Sequence, residues 1–344
     1  MMTRSPAIET DPAASGGRAA RLRDAIGSWA TELQILLAIV ILSAVFAVLF
    51  SDSFSTYGTM MNMARVAGIL LVVSIGQTFA LIVGGFDISV GATMGLVSVV
   101  SSILMSQGMN VGTAVLIGVL VGGAVGLVNG IGIAVLRVTP FVMTLGTLTF
   151  ARGLADQIAN GGTITGLPRS LRYFGRGNWH GLPSAACIAV IVLILAWLIL
   201  QHCRAGLYIF AIGGSRETTR VAGVPVVRYE VLAYTVTGLL AGLGGVMLTA
   251  RVSVGQGSLG EGYELLSVAT AVIGGVVIGG GVGRLTGVVL GVIFITVLTT
   301  GLDIAGVNPF LQQMTTGVVL VGAVLLSKAR GASFSSMFRL RRGR

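Results

Sequence analysis

At 344 residues, 54% hydrophobic and only 10% charged, the chain has too few charges to cover a water-soluble surface, where about a quarter would be usual. Its 52 glycines are spread through the apolar runs, as suits helices packing closely in a membrane, and are not collected in linkers. The net charge of +10 is almost all arginine, and in so apolar a chain it reads as membrane topology and excludes a nucleic-acid partner. Residues 1–32 begin polar and small and lack the apolar core and cleavage site of a signal peptide, so they are expected to form a disordered cytoplasmic tail.

The first apolar run is Leu33 to Phe50. Val66 to Val83, Ile88 to Met105 and Val111 to Ile133 follow, separated by GGFD and SQGMN. Pro140 breaks the pattern before Phe141 to Ile158, because proline and the residue before it disfavour helix continuation. A polar stretch over about 160–183 precedes Ala185 to Leu200, and a hydrophilic segment from Gln201 to Glu230 then interrupts the series. Val231 to Ala250, Leu265 to Gly279, Leu285 to Gly301 and Phe310 to Ser327 complete it. The reading is an all-α polytopic membrane protein of about ten transmembrane helices. Leu265 to Gly279 is short and glycine-ended, so it reads as broken or re-entrant. The permease-like region is thus 33–327, with a basic cytoplasmic tail over 328–344. GGFDISVGATMGLVSVV and GGVVIGGGVGRLTGVVLGV echo one another, which an internal repeat or shared glycine-rich composition would explain equally well.

With the N-terminus inside, alternation through ten spans puts most basic residues inside, including Arg137, Arg204, Arg216, Arg220, Arg228 and Arg284. Both termini are therefore expected in the cytoplasm of a bacterial inner membrane, with membrane lipid as the surrounding partner.

Catalytic and metal-binding patterns are missing. The sole lysine, Lys328, lies outside any phosphate-binding loop of the G-x-x-x-x-G-K-[ST] kind, so the chain is read as no enzyme. Cys187, Cys203, His180 and His202 have no metal or disulfide spacing, and no cofactor or metal site is expected on this chain. Within 211–230, SRETTRVAG can form a short helix with Ser215 as N-cap, Glu217 and Thr218 in its first turn and Gly223 at its end. Such a helix between two spans could pass force from a docked partner; a solvated loop is the plainer alternative. Polar residues inside apolar runs are costly and so are candidates for the translocation pathway. These are Asn62, Gln77, Asn129, Thr144 and Thr147, although interhelical hydrogen bonding is the commoner role of such residues. Asp87 is read as a cap for a helix beginning at Ile88, and Pro140 as structural.

Three separated segments resemble the permease subunits of bacterial ribose/xylose-type importers of the ATP-binding cassette superfamily. They are GQTFALIVGGFDISVGATMG, NGIGIAVLRVTPFVMTLGTLTFARGLA and AIGGSRETTRVAGVPVVRYEVLAYTVTGLLAGLGGVMLTAR. The resemblance implies a sugar-translocating subunit in a homo- or heterodimer of permeases. It also implies a cytoplasmic ATPase, which carries ATP and Mg, and an extracytoplasmic solute-binding protein. It makes Gly213, Gly214, Ser215, Arg216, Glu217, Thr218, Arg220 and Gly223 the segment that couples to the ATPase. Ser215 and Arg216 depart from the family's usual Asn and acidic or polar residues there. Other expectations stay open: a permease for amino acids, nucleosides or a sugar-derived signal, or a secondary transporter or channel that works without partners.

Overall fold

The computed structural model describes residues 13–318 with Val321, Gly322 and Leu325, and side chains from residue 31 onward. In chain order the helices are α1 (Ala13–Leu49), α2 (Ser51–Phe54), α3 (Tyr57–Ile82), α4 (Val90–Ser106), α5 (Val111–Ala134) and α6 (Pro140–Ile158). A 3-10 turn (Arg169–Phe174) and the hairpin β1 (Asn178–Trp179) and β2 (Leu182–Pro183) lead into α7 (Ser184–His202). Then come α8 (Arg204–Gly214), α9 (Arg216–Val221), α10 (Val226–Val252), α11 (Tyr263–Ile273) and α12 (Leu285–Ile304), and residues 309–318 are again helical.

Local chemistry sets the boundaries. Thr56 caps α3 by accepting from the Thr59 N–H (3.2 Å), and Asn110 caps α5 by accepting from the Gly112 N–H (2.9 Å). Pro140 opens α6, where its missing N–H costs no helical bond. Among the described residues, 6 helices are long and apolar enough to cross a membrane: the Thr31–Leu49 part of α1, α3, α5, α7, α10 and α12. Of the other expected spans, three fall on α4, α6 and α11, which are shorter or less apolar; the last begins in the helical residues 309–318, and part of it lies outside the described residues.

Four boundaries differ from the sequence reading. The α1 helix already runs through residues 13–32, part of the expected tail, while residues 1–12 and 328–344 lie outside the described residues. The α8 helix fills part of the hydrophilic interruption because it has an apolar face, burying Ile209 and Ile212. The helix after Asp87 begins at Val90, not Ile88, because Ile88 and Ser89 are used in a turn. The short span ends at Ile273, and residues 274–284 are an irregular glycine-rich break.

Helices α3 and α10 form the centre. Helix α5 lies along α10, α7 covers one side of α3, and α11 and α12 pack on α3 with α1 outside α12. Lipid removes the hydrophobic drive between helices, so close packing and hydrogen bonds must hold them. Helix α5 meets α10 backbone to backbone: a Cβ on Gly122 would stand 2.5 Å from the Gly238 carbonyl. Buried hydroxyls join the helices as well, Ser74 to Thr270 (2.7 Å), Thr237 to the Gly76 carbonyl (2.8 Å) and Thr249 to Ser98 (2.7 Å). Each such bond is worth about 0.6 kcal/mol in a membrane.

The bundle has two distinct ends. One gathers the Ile82–Val90 turn, the α8–α9 corner and the 274–284 break. The other carries the hairpin, where Arg65 donates to Asn178 (2.8 Å), Arg152 pairs with Glu261 (3.3 Å) and Ile164 bridges Gly255.

Candidate functional site

The α9 end holds a buried polar cluster at the break between α3 and α4. Asp87 is 2% exposed. Its Oδ1 accepts from the Ser89 N–H (2.8 Å) and the Ser89 hydroxyl (2.6 Å), closing an Asx turn that delays α4 to Val90. Asn129 of α5 donates to Asp87 Oδ2 (3.2 Å) and to Ser89 Oγ (2.9 Å), and its own Oδ1 accepts from the Thr147 hydroxyl of α6 (2.6 Å). Gln77 closes the other side. With its amide oriented to satisfy both groups, Nε2 donates to the Asp87 carbonyl (3.2 Å) and Oε1 accepts from the Asp87 N–H (3.1 Å). Side chains from α3 and α5 thereby converge on one irregular turn around the buried Asp87, and Thr147 of α6 joins them through Asn129.

Beyond Thr147, an apolar groove of about 520 Å³ runs between α4, α5 and α6, with Leu96, Val125, Met143 and Phe150 among its walls.

The same end carries the short helix α9. Ser215 caps it, its Oγ accepting from the Thr218 N–H (3.3 Å), and Gly223 leaves it with φ +83. Arg216 makes a two-pronged pair with Glu230 of α10, Nε to Oε1 at 2.6 Å and Nη2 to Oε2 at 2.9 Å. That hydrogen-bonded pairing raises the Arg216 pKa above its ordinary value. Glu217 and Arg220 pair on the exposed face (2.6 Å), and Arg220 holds the Glu217 carboxyl below its ordinary value. Val221, 75% exposed, stands beside them. The result is a charged helix with an apolar tip, fixed at its first residue to a long central helix and open on its outer side.

The family described as "Branched-chain amino acid transport system / permease component" matches residues 59–324. The chain belongs to this permease family. It is 33% identical over 307 residues to the ribose import permease protein RbsC of Escherichia coli (strain K12), covering 88% of this chain and 95% of that one. To the ribose import permease protein RbsC of Bacillus subtilis (strain 168) it is 35% identical over 303 residues, covering 88% and 94%. To the L-arabinose transport system permease protein AraH of Escherichia coli (strain K12) it is 31% identical over 290 residues, covering 83% and 88%. No solved structure matches the chain. The permease is thus a multi-pass transport subunit of the inner membrane and not an enzyme.

Of the polar residues singled out from the sequence, the permease brings Gln77, Asn129 and Thr147 together around Asp87. Thr144, one turn before Thr147, bonds its hydroxyl to the Pro140 carbonyl (2.8 Å) and takes no part. Asn62 lies apart at the hairpin end, exposed and in contact with Arg251 at 3.5 Å. Asp87 does not cap α4, whose N-cap position is Ser89; its carboxylate joins the turn to α5. Sequence reasoning missed Ser89, although Asp-x-Ser beside glycines is an Asx-turn signal. It also missed Tyr234, in the apolar part of α10, and left Glu230 at the end of the hydrophilic segment with nothing local to mark Arg216 as its partner. The Tyr234 hydroxyl is buried beside Gly85 and Pro140 without a hydrogen-bond partner.

Proposed function

We propose that this permease is the membrane-spanning subunit of an ATP-binding cassette importer that moves a monosaccharide or a similar neutral polar solute by alternating access. The observation that carries the reading is α9, a capped helix clamped through Arg216 to Glu230 with Glu217, Arg220 and Val221 facing outward. It offers a cytoplasmic ATPase a rigid contact between two membrane spans. Gly213 to Gly223 is the coupling segment, and Gly213, Gly214, Ser215, Thr218 and Gly223 shape it rather than supply charge.

In this reading the α9 end and both termini face the cytoplasm, the hairpin end receives a loaded solute-binding protein, and about ten spans surround the pathway with a second permease subunit. ATP and Mg reside on the ATPase. Gln77, Asn129 and Thr147 are the pathway residues, and hydroxyl and amide groups suit a neutral hydroxylated solute better than an ion. The names of the relatives, which handle ribose and L-arabinose, support a pentose or related sugar.

The test is reconstitution in proteoliposomes with the co-purifying ATPase and binding protein, measuring labelled ribose and arabinose uptake against leucine and a nucleoside. ATP-dependent sugar uptake, reduced by Glu217→Arg in a correctly inserted protein, is the expected result. Uptake by the permease alone without ATP would make it a secondary transporter, and preference for leucine would move it to the amino-acid carriers.

A further inference from the structure

We infer that a backbone-to-backbone junction of Gly84, Gly213 and Gly280 is the relay through which α9 moves both helix breaks together. This rests on the coupling role proposed for α9.

Two irregular segments and the last turn of α8 meet at the junction with no side chain between them. Gly213 is in the last turn of α8, two residues before the Ser215 cap of α9. A Cβ on Gly213 would overlap the Ile82 carbonyl at the end of α3 and the Gly281 N–H in the 274–284 break. A Cβ on Gly280 would stand 2.8 Å from the Gly84 Cα and 2.9 Å from the Gly213 Cα. The Gly281 N–H donates to the Ile82 carbonyl at 2.8 Å, tying the second break to the first. Gly84, Gly280 and Gly281 all have positive φ, at 100, 88 and 74, so glycine serves both the turn and the close approach.

Contacts made only of backbone have no rotamers through which to absorb a displacement, and packed protein is nearly incompressible. A push on α9 therefore reaches Ile82 and Gly280 at once. From Gly84 it continues to Asp87, three residues on, whose carboxylate and backbone are held by Asn129 and Gln77, and through Asn129 to Thr147. The docking helix and the polar cluster are thus joined by contacts already on the chain. Gly213 and Gly280 are positioning residues and need touch neither ATPase nor solute.

The test uses the reconstituted complex of permease, ATPase and binding protein, reading solute moved per ATP hydrolysed. Gly280→Ala should keep ATPase binding and basal hydrolysis yet lower that ratio by roughly tenfold or more, and Gly213→Ala, inside the coupling segment, should lower the ratio as far, counted per ATP hydrolysed. Their double variant should lose little beyond the worse single, because one contact is broken twice. Gly279→Ala is the matched control: its Cβ would meet only Val277 at 3.9 Å, and it should couple normally. Equal coupling in Gly213→Ala and Gly279→Ala, or losses that multiply in the double, would overturn the relay. A second measurement leaves the glycines intact, with spin labels at Val221, Val282 and Tyr173 in a background lacking Cys187 and Cys203. On ATP trapping, Val221 and Val282 should keep their separation while both shift against Tyr173. A changed Val221–Val282 distance, or no shift, would overturn it. Wild-type uptake that ignores the ATPase would fell the importer reading and the relay with it, a result separable from a coupled wild type with uncoupling-resistant variants.

Discussion

The two helix breaks at the α9 end are built on opposite plans. The turn between α3 and α4 is held by side chains: Asp87, Ser89, Asn129, Gln77 and, through Asn129, Thr147. The 274–284 break is held by backbone, with the Val277 N–H to the Val282 carbonyl at 3.1 Å and the Gly280 N–H to the Val277 carbonyl at 3.0 Å. Two arrangements answer one requirement, that backbone groups freed at a helix break find partners within the protein. Side chains reaching from other helices fix the first break in position relative to α5 and α6. Glycines let the second follow whatever lies against it. A displacement that reaches both breaks is thus passed on in two ways, by the first to α5 through its side chains and by the second along its own backbone.

Asp87→Ala is the most damaging way to break the comparison. It strands the Ser89 N–H and the Asn129 amide in a buried site, and a loss of about 3 kcal/mol in unfolding stability is expected. Thermal unfolding in detergent measures it; a loss under about 0.5 kcal/mol would mean that the side-chain clasp does not hold the first break. Gly275→Ala probes the second break, since Gly275 has φ 86. A side chain there costs about 1–2 kcal/mol from backbone strain. The same melt, with Gly279→Ala beside it as the unstrained case, separates conformation from bulk; equal melting of the two would count against the backbone plan. Thr147→Val tests the far end of the clasp. It removes one donor from the Asn129 amide oxygen and should cost about 1 kcal/mol, with Thr144→Val, whose hydroxyl bonds only within its own helix, costing less. Reversed order would place the working hydroxyl at Thr144.

The smallest effect lies outside both breaks, on α9. Glu217 has its folded pKa depressed by Arg220, so the stabilisation from this pair is present above the ordinary carboxylate value and fades as pH falls through the lowered one. Carboxyl NMR of labelled glutamate should give Glu217 a midpoint below that of a free glutamate. Arg220→Gln should return it to normal. A midpoint unaffected by that change would remove the pair from the description of α9.

Much of the architecture was legible in the chain because it depends on local regularities. Long apolar runs gave α3, α5, α7, α10 and α12, since a span must satisfy its own backbone in lipid and needs only length and composition. Ser215 and Gly223 gave α9, because caps act within a few residues. Glycine and proline likewise marked both breaks and the start of α6. What local chemistry could not decide was partnership. Gln77, Asn129 and Thr147 were visible as costly polar residues, but Thr144 and Asn62 carried the same signal and the structure separates them from the cluster. The pairing of Arg216 with Glu230, and the meeting of Gly84 with Gly213 and Gly280, join residues far apart in the chain. Such contacts depend on how helices cross, and only the packed bundle determines that.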